Sequence, residues 1–158
     1  MWPVIIGAAA ALIGGAFSLI QVEKQRKEEE ERLQRSGILE VDVMTGKDFE
    51  KFLDVHFRNL GYSVSLTQDT QDYGADLILY KDGTKTVIQA KRSKNPVTVK
   101  AVQEVVGAIR YYNASKGIVI TNNRFTENAY NLAEANDVEL WARKNLIDFI
   151  IKAKNCKY

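Results

Sequence analysis

The spacing of apolar residues divides the chain into three stretches of different character. From Trp2 to Ile20 no charged residue occurs over 19 positions. A helix of that length roughly matches a 30 Å hydrocarbon layer, which predicts a membrane-spanning helix over 1–20. The next stretch, QVEKQRKEEEERLQRS, has no apolar stripe, but Lys24/Glu28, Lys27/Glu31, Glu28/Arg32 and Glu31/Arg35 all stand four residues apart. Those pairs support a solvated helix, which reads as a stalk over 21–37, ended by Ser36-Gly37. Beyond it, over 43–154, apolar positions recur with periods of 3.6 and 2, as in a packed α/β domain.

Within that third stretch, Thr45 is placed to cap a helix running to Leu60, with Phe49, Phe52, Leu53, His56, Phe57 and Leu60 as its apolar stripe. Tyr62 to Leu66 reads as a short strand, and 74–80 and 85–91 as a hairpin. Helices over 99–112, 126–135 and 145–154 alternate with strands over 117–121 and 138–142. A mixed sheet between two helical layers follows from that order. His56, the only histidine, falls inside the apolar stripe and reads as a core residue. Its burial leaves no histidine for a general base.

The hairpin holds the chain's most informative residues. In GADLILYKDGTKTVIQAKR, Asp82-Gly83 between apolar runs is a strong signal for a two-residue turn. Such a turn sets Lys81 opposite Thr84 and Asp76 opposite Gln89, with Cβ atoms roughly 5 Å apart. Lys91 shares the face of Gln89. Ile78, Tyr80 and Val87 lie on that face, and Leu77, Leu79, Ile88 and Ala90 on the other. A carboxylate, an amide and an ammonium thus converge on an otherwise apolar strand pair. Burying them is costly unless they pair or bind an ion. Two readings stand: a structural Asp76–Lys91 ion pair, or a metal-and-water site.

Asp76 within YGADLIL, followed by Gln89-Ala90-Lys91, resembles the PD-(D/E)xK nuclease superfamily, and more narrowly its Mrr-type restriction endonuclease domain. TGKDFEKFLDVHFRNLGYSV is similar to that family's first helix, and GIVITNNRFTENAYNLAEANDVELWARKNLIDFI to its closing β-α-β-α run. Gln89 departs from the commoner Glu but is similar to the Mrr subgroup. The resemblance implies an αβββαβ restriction-endonuclease-like core with a mixed central sheet. It also implies phosphodiester hydrolysis in DNA with Mg²⁺, or Mn²⁺ in its place. Asp76, Gln89, the Ala90 carbonyl and Glu50 are the implied metal ligands, and Lys91 would orient the attacking water or offset charge. Glu50 lies at the edge of the first helix's apolar stripe, beside Lys47 and Lys51. Gln103, on the helix after the hairpin, reads as a plain surface glutamine, with lining the site as the alternative. A nuclease-fold module that only binds DNA or assembles at the membrane, and a junction resolvase, are the alternatives.

Charge adds little. A net charge of +2 gives no global field for nucleic acid, so binding rests on local cations, of which Arg92, Lys94 and Arg124 lie nearest the motif or a later strand end. A single cysteine, Cys156, excludes an intramolecular disulfide and a cysteine zinc cluster. Five cations, Lys24, Arg26, Lys27, Arg32 and Arg35, follow the apolar segment. That asymmetry predicts a single-pass protein with its domain in the cytoplasm. Gly7, Ala11 and Gly15 recur every fourth residue, a stripe that permits close helix contact, and a homodimer is expected.

Overall fold

The computed structural model describes residues 3–68 and 73–156, with the side chains of 3–13 and 34 outside that description. Two compact units appear, Met1–Leu33 and Gln34–Tyr158. The first is the greater part of one helix, α1 (Pro3–Arg35). Among the described residues no helix is long and apolar enough to cross a membrane. Most of the span expected over 1–20 falls on residues whose side chains lie outside the description. From Gly14 to Glu28 every side chain is solvent-exposed, and Arg26 bonds Glu23 at 2.6 Å.

The second unit begins with α2 (Ile38–Val41) and continues α3 (Gly46–Asn59), β1 (Ser63–Leu66), β2 (Leu77–Lys81), β3 (Thr84–Lys91), α4 (Val99–Tyr111), β4 (Lys116–Thr121), α5 (Glu127–Ala135), β5 (Val138–Trp141) and α6 (Arg143–Asn155). The short α2 has no counterpart in the sequence reading, because four residues are too few to show a period. Helix α3 starts where its capping chemistry requires: Thr45 Oγ1 accepts the Asp48 N–H at 3.1 Å. It ends at Gly61, whose φ of +86° suits a residue without Cβ.

The sheet runs β1-β2-β3-β4-β5 in space. Its first three strands are antiparallel, and β3, β4 and β5 are parallel. Helix α4 makes the crossover between β3 and β4, and α5 the one between β4 and β5. Both lie on the face carrying Ile78, Val87, Val119 and Val138. Helices α3 and α6 cover the other face, where Phe57 meets Trp141 and Phe149 at ring-centroid distances of 6.0 and 4.5 Å. Phe49, Phe52, Leu53 and Phe57 are fully or almost fully buried, each contributing about 1.5–3 kcal/mol of transfer free energy. His56 is buried with them, its Nδ1 donating to the Phe52 carbonyl at 2.8 Å. At the start of β4, Gly117 lets Val105 and Ile109 of α4 lie directly on the sheet, since a Cβ there would overlap both.

Candidate active site

The β2–β3 turn has positive φ at both central residues, 50° at Asp82 and 75° at Gly83. That is the primed turn whose twist matches the strands it joins. Its register pairs Lys81 with Thr84, Ile78 with Val87 and Leu77 with Ile88. Regular pairing stops there, one residue short of Asp76. Tyr73 and Gly74 carry φ values of 41° and 85° and bend the incoming chain. The Asp76 N–H still donates to the Ile88 carbonyl at 2.7 Å. On the opposite strand, however, the Ala90 N–H donates to the Asp76 carboxylate, at 2.8 Å from Oδ2. A side chain thus takes the place of a main-chain acceptor, and this fixes the carboxylate at the strand end. Asp76 is 8 % exposed and Gln89 5 %.

Lys91 does not stand alone beside Asp76. Glu104, on α4, places Oε2 3.1 Å from Lys91 Nζ and 2.8 Å from Gln89 Nε2. The sequence alone does not single out this carboxylate, and its neighbour Gln103 reads there as a surface residue. Gln103 is exposed, and Glu104 is half-buried. A signal for it exists in the helix period: Glu104 follows buried Ala101 by three positions and precedes buried Ala108 by four, so it shares their stripe. Helix α4 comes close enough because the Gly74 main chain abuts it; a Cβ on Gly74 would overlap the Glu104 carbonyl.

The bond to Glu104 also fixes the orientation of the Gln89 amide. Only its nitrogen can donate to a carboxylate, so Oε1 is the oxygen that remains, buried and without a partner among the described residues. An orphaned buried acceptor beside a carboxylate is a costly arrangement. It fits a hard cation bound through oxygen atoms. Among the described residues no three His, Cys, Asp or Glu side chains gather as a metal cluster. Glu50 lies on α3, in the other helical layer, and pairs with Lys47 at 3.6 Å.

The remaining candidates lie past the strand ends. Lys94 and Arg124 line an open cleft of about 490 Å³ with Ser93, Asn122, Arg143 and Lys144 among its other walls. Arg92 has its Nε buried without a partner among the described residues. The cleft floor is closely bonded: Arg143 grips Asp42 with two bonds, 2.7 and 2.9 Å. Asn122 donates to the same carboxylate at 2.9 Å and accepts the Ser93 N–H at 2.8 Å. The Arg143 guanidinium, aided by Asn122, holds the Asp42 carboxyl below the usual carboxylate range despite partial desolvation.

The sequence pattern of a family described as "Restriction endonuclease", the Mrr catalytic domain, matches residues 41–150. The chain belongs to this Mrr-type family. Two solved structures agree on the fold. AF1548, a protein of unknown function, overlaps with a TM-score of 0.55 at 17% identity, over 67% of this chain and 65% of its own. The DNA modification-dependent restriction endonuclease AspBHI overlaps with a TM-score of 0.56 at 20% identity, over 80% of this chain but 36% of its own. MspJI restriction endonuclease in complex with a 27-mer oligonucleotide overlaps at 0.47 and 22% identity, over 64% of this chain and 26% of its own. This chain therefore spans under two thirds of each of those proteins. Among curated proteins none matches. The Mrr-type core here is a restriction-endonuclease-like nuclease domain, built on a mixed five-stranded sheet.

Proposed function

We propose that this Mrr-type chain is a DNA endonuclease that hydrolyses phosphodiester bonds with Mg²⁺, for which Mn²⁺ can substitute. The observation that carries the reading is the convergence, at one strand end, of the Asp76 carboxylate, the Lys91 ammonium and the Gln89 Oε1, which lacks a partner among the described residues. Asp76, Gln89 Oε1 and the Ala90 carbonyl would hold the cation, and Glu50 remains a candidate further ligand. When bound, such an ion supplies charge stabilisation at the phosphate and lowers the pKa of a bound water. The protein's own groups do the positioning. Lys91 presents Nζ to the attacking water or to the charge developing on phosphorus. Glu104 holds that ammonium and the Gln89 amide through a single oxygen, so the two move together. Ala90 N–H keeps the Asp76 carboxylate from rotating away.

The deciding experiment is nicking of supercoiled plasmid with and without Mg²⁺, using methylated and unmethylated DNA and a branched substrate. The expected result is metal-dependent cutting of the wild type and none by Asp76→Asn or Lys91→Ala. Cutting that survives either substitution, or binding without cutting in the wild type, overturns the enzymatic reading and favours a DNA-binding module. Preference for the branched substrate identifies a resolvase.

We also propose that α1 anchors the nuclease as a single-pass protein at the cytoplasmic face of a membrane. The support is the uncharged run from Trp2 to Ile20 and the five cations that follow it. A homodimer fits the small-residue repeat Gly7, Ala11, Gly15, since two copies acting together can cut both strands of a duplex.

A further inference from the structure

We infer that the cleft beyond the carboxyl ends of β3 and β4 binds one phosphodiester group of the DNA strand that lies in the Asp76–Lys91 site. The inference rests on the nuclease reading for its ligand, and on three features of the cleft for its place. The first is position. Lys91 pairs with Thr121 across β3 and β4, and the cleft begins at Ser93 and Asn122, two residues and one residue further on. At roughly 3.3 Å per residue, this is within a few ångströms to about 7 Å of the reacting groups, the scale of neighbouring phosphates on one strand. The carboxyl ends of parallel strands are also where open α/β sheets bind ligands.

Charge is the second feature. Four cationic side chains, Lys94, Arg124, Arg143 and Lys144, face the cleft against one carboxylate, Asp42. Arg143 already matches that carboxylate with two bonds. Lys94, Arg124 and Lys144 are left without an anionic partner among the described residues. In a chain of net charge +2, three uncompensated cations around one hollow form a local field that the composition does not reveal. Arg92 adds to it, since its charge acts on Asp42 and its Nε lacks a partner among the described residues.

The third feature is rigidity. Asn122 spends its amide oxygen on the Ser93 N–H and its amide nitrogen on Asp42, and Asn123 Nδ2 donates to the Ser93 carbonyl at 3.2 Å. Arg143 joins the Asn122 carbonyl to Asp42. The floor is therefore internally satisfied, and the three cations at the rim are what the cleft offers a ligand. Such a rim of cationic donors suits the paired anionic oxygens of a phosphodiester.

The experiment measures binding of the full-length chain to a short duplex without metal, as a function of salt. It compares the wild type, a triple variant (Lys94→Gln, Arg124→Gln, Lys144→Gln) and a control of equal net charge (Lys27→Gln, Lys51→Gln, Lys152→Gln). Neutralising one phosphate contributes about 0.9 to the slope of log K against log salt. The triple variant is expected to lose about that much, and the control to keep the wild-type slope. A single methylphosphonate moved along the strand should weaken wild-type binding at one position and leave the triple variant's binding unchanged there. Equal slopes for triple variant and control overturn the inference, as does a methylphosphonate effect shared by wild type and triple variant. A wild type that binds with the expected pattern but never cuts overturns the nuclease reading and keeps the phosphate cleft. A wild type that does not bind the duplex overturns both.

Discussion

The main chain of Gly74 lies against the carbonyl oxygen of Glu104, too close for any side chain to stand between them. One glycine therefore sets the distance from the strand that carries Asp76 to the helix that carries Glu104. Gly74→Ala is expected to destabilise the domain by about 2–4 kcal/mol, combining strain at a φ of +85° with overpacking. Gly83→Ala is the comparison. Its φ is +75°, but nothing lies within 4 Å of its Cβ position, so its cost is strain alone, about 1 kcal/mol. Urea unfolding of both variants checks this, and equal losses would show that the contact with α4 is slack.

Glu104→Gln separates positioning from folding. The Lys91–Glu104 pair is about a third exposed, so losing its charge should cost no more than about 1 kcal/mol of stability. Cleavage should nonetheless fall by about tenfold or more, in kcat with KM for DNA unchanged, because Lys91 and Gln89 lose their common partner. Glu104→Asp should recover part of the rate. A Glu104→Gln enzyme with wild-type kcat would leave this carboxylate a purely structural role.

The pH response of the Asp42–Arg143 pair follows from the direction of its shift. Asp42 titrates lower in the folded protein than in the unfolded chain, first because of the Arg143 hydrogen bonds. Its contribution is therefore present above the unfolded carboxylate value, near 4, and is lost as pH falls through the folded value. The pair is partly exposed, which limits that contribution to about 1 kcal/mol. Arg143→Ala should be less stable than the wild type by that amount between pH 6 and 8, with the gap closing below about pH 4. Unfolding curves across that range decide it; a gap that widens in acid would mean the pair is not what Arg143 contributes.

Much of the site is legible in the sequence because hairpin chemistry is local. Asp82-Gly83 gives the register of β2 and β3, and alternation then gives the face of Gln89 and Lys91. What the pairing rule does not give is the break at Asp76, where Gly74 turns the chain and a carboxylate replaces a main-chain acceptor. Glu104 is harder still, since its contact with Lys91 depends on how α4 is rotated against the sheet. Gln103, one residue earlier, lies about 100° away around the helix and is exposed, as a surface glutamine should be. The polar floor beyond the strand ends joins Asp42, Ser93, Asn122 and Arg143, which only the crossovers bring together. No periodicity in the sequence announces it.

The anchor has its own test. Alkaline carbonate should leave the full chain in the membrane pellet, and replacing Ile6 and Leu12 by Lys should move it to the supernatant, because each charge at mid-span opposes insertion by about 2.5–3.5 kcal/mol. Wild-type protein released by carbonate would remove the anchor from the proposal while leaving the nuclease domain as it is. Gly7→Leu with Gly15→Leu should lower the yield of crosslinked dimer in membranes.

The crossover between β3 and β4 also restricts how the gene can vary. Lys91 sits at the last position of one strand and Glu104 partway along the helix that follows, so the two meet only at one helical phase. Inserting or deleting a residue between the start of α4 and Glu104 turns the carboxylate by about 100° and carries it off the Ala101–Ala108 stripe. Length changes should be admitted past Glu104's contacts, where α4 runs out to Tyr111. Between Val99 and Glu104, the exposed Lys100 and Gln103 can be substituted, but the residue count is part of the active site.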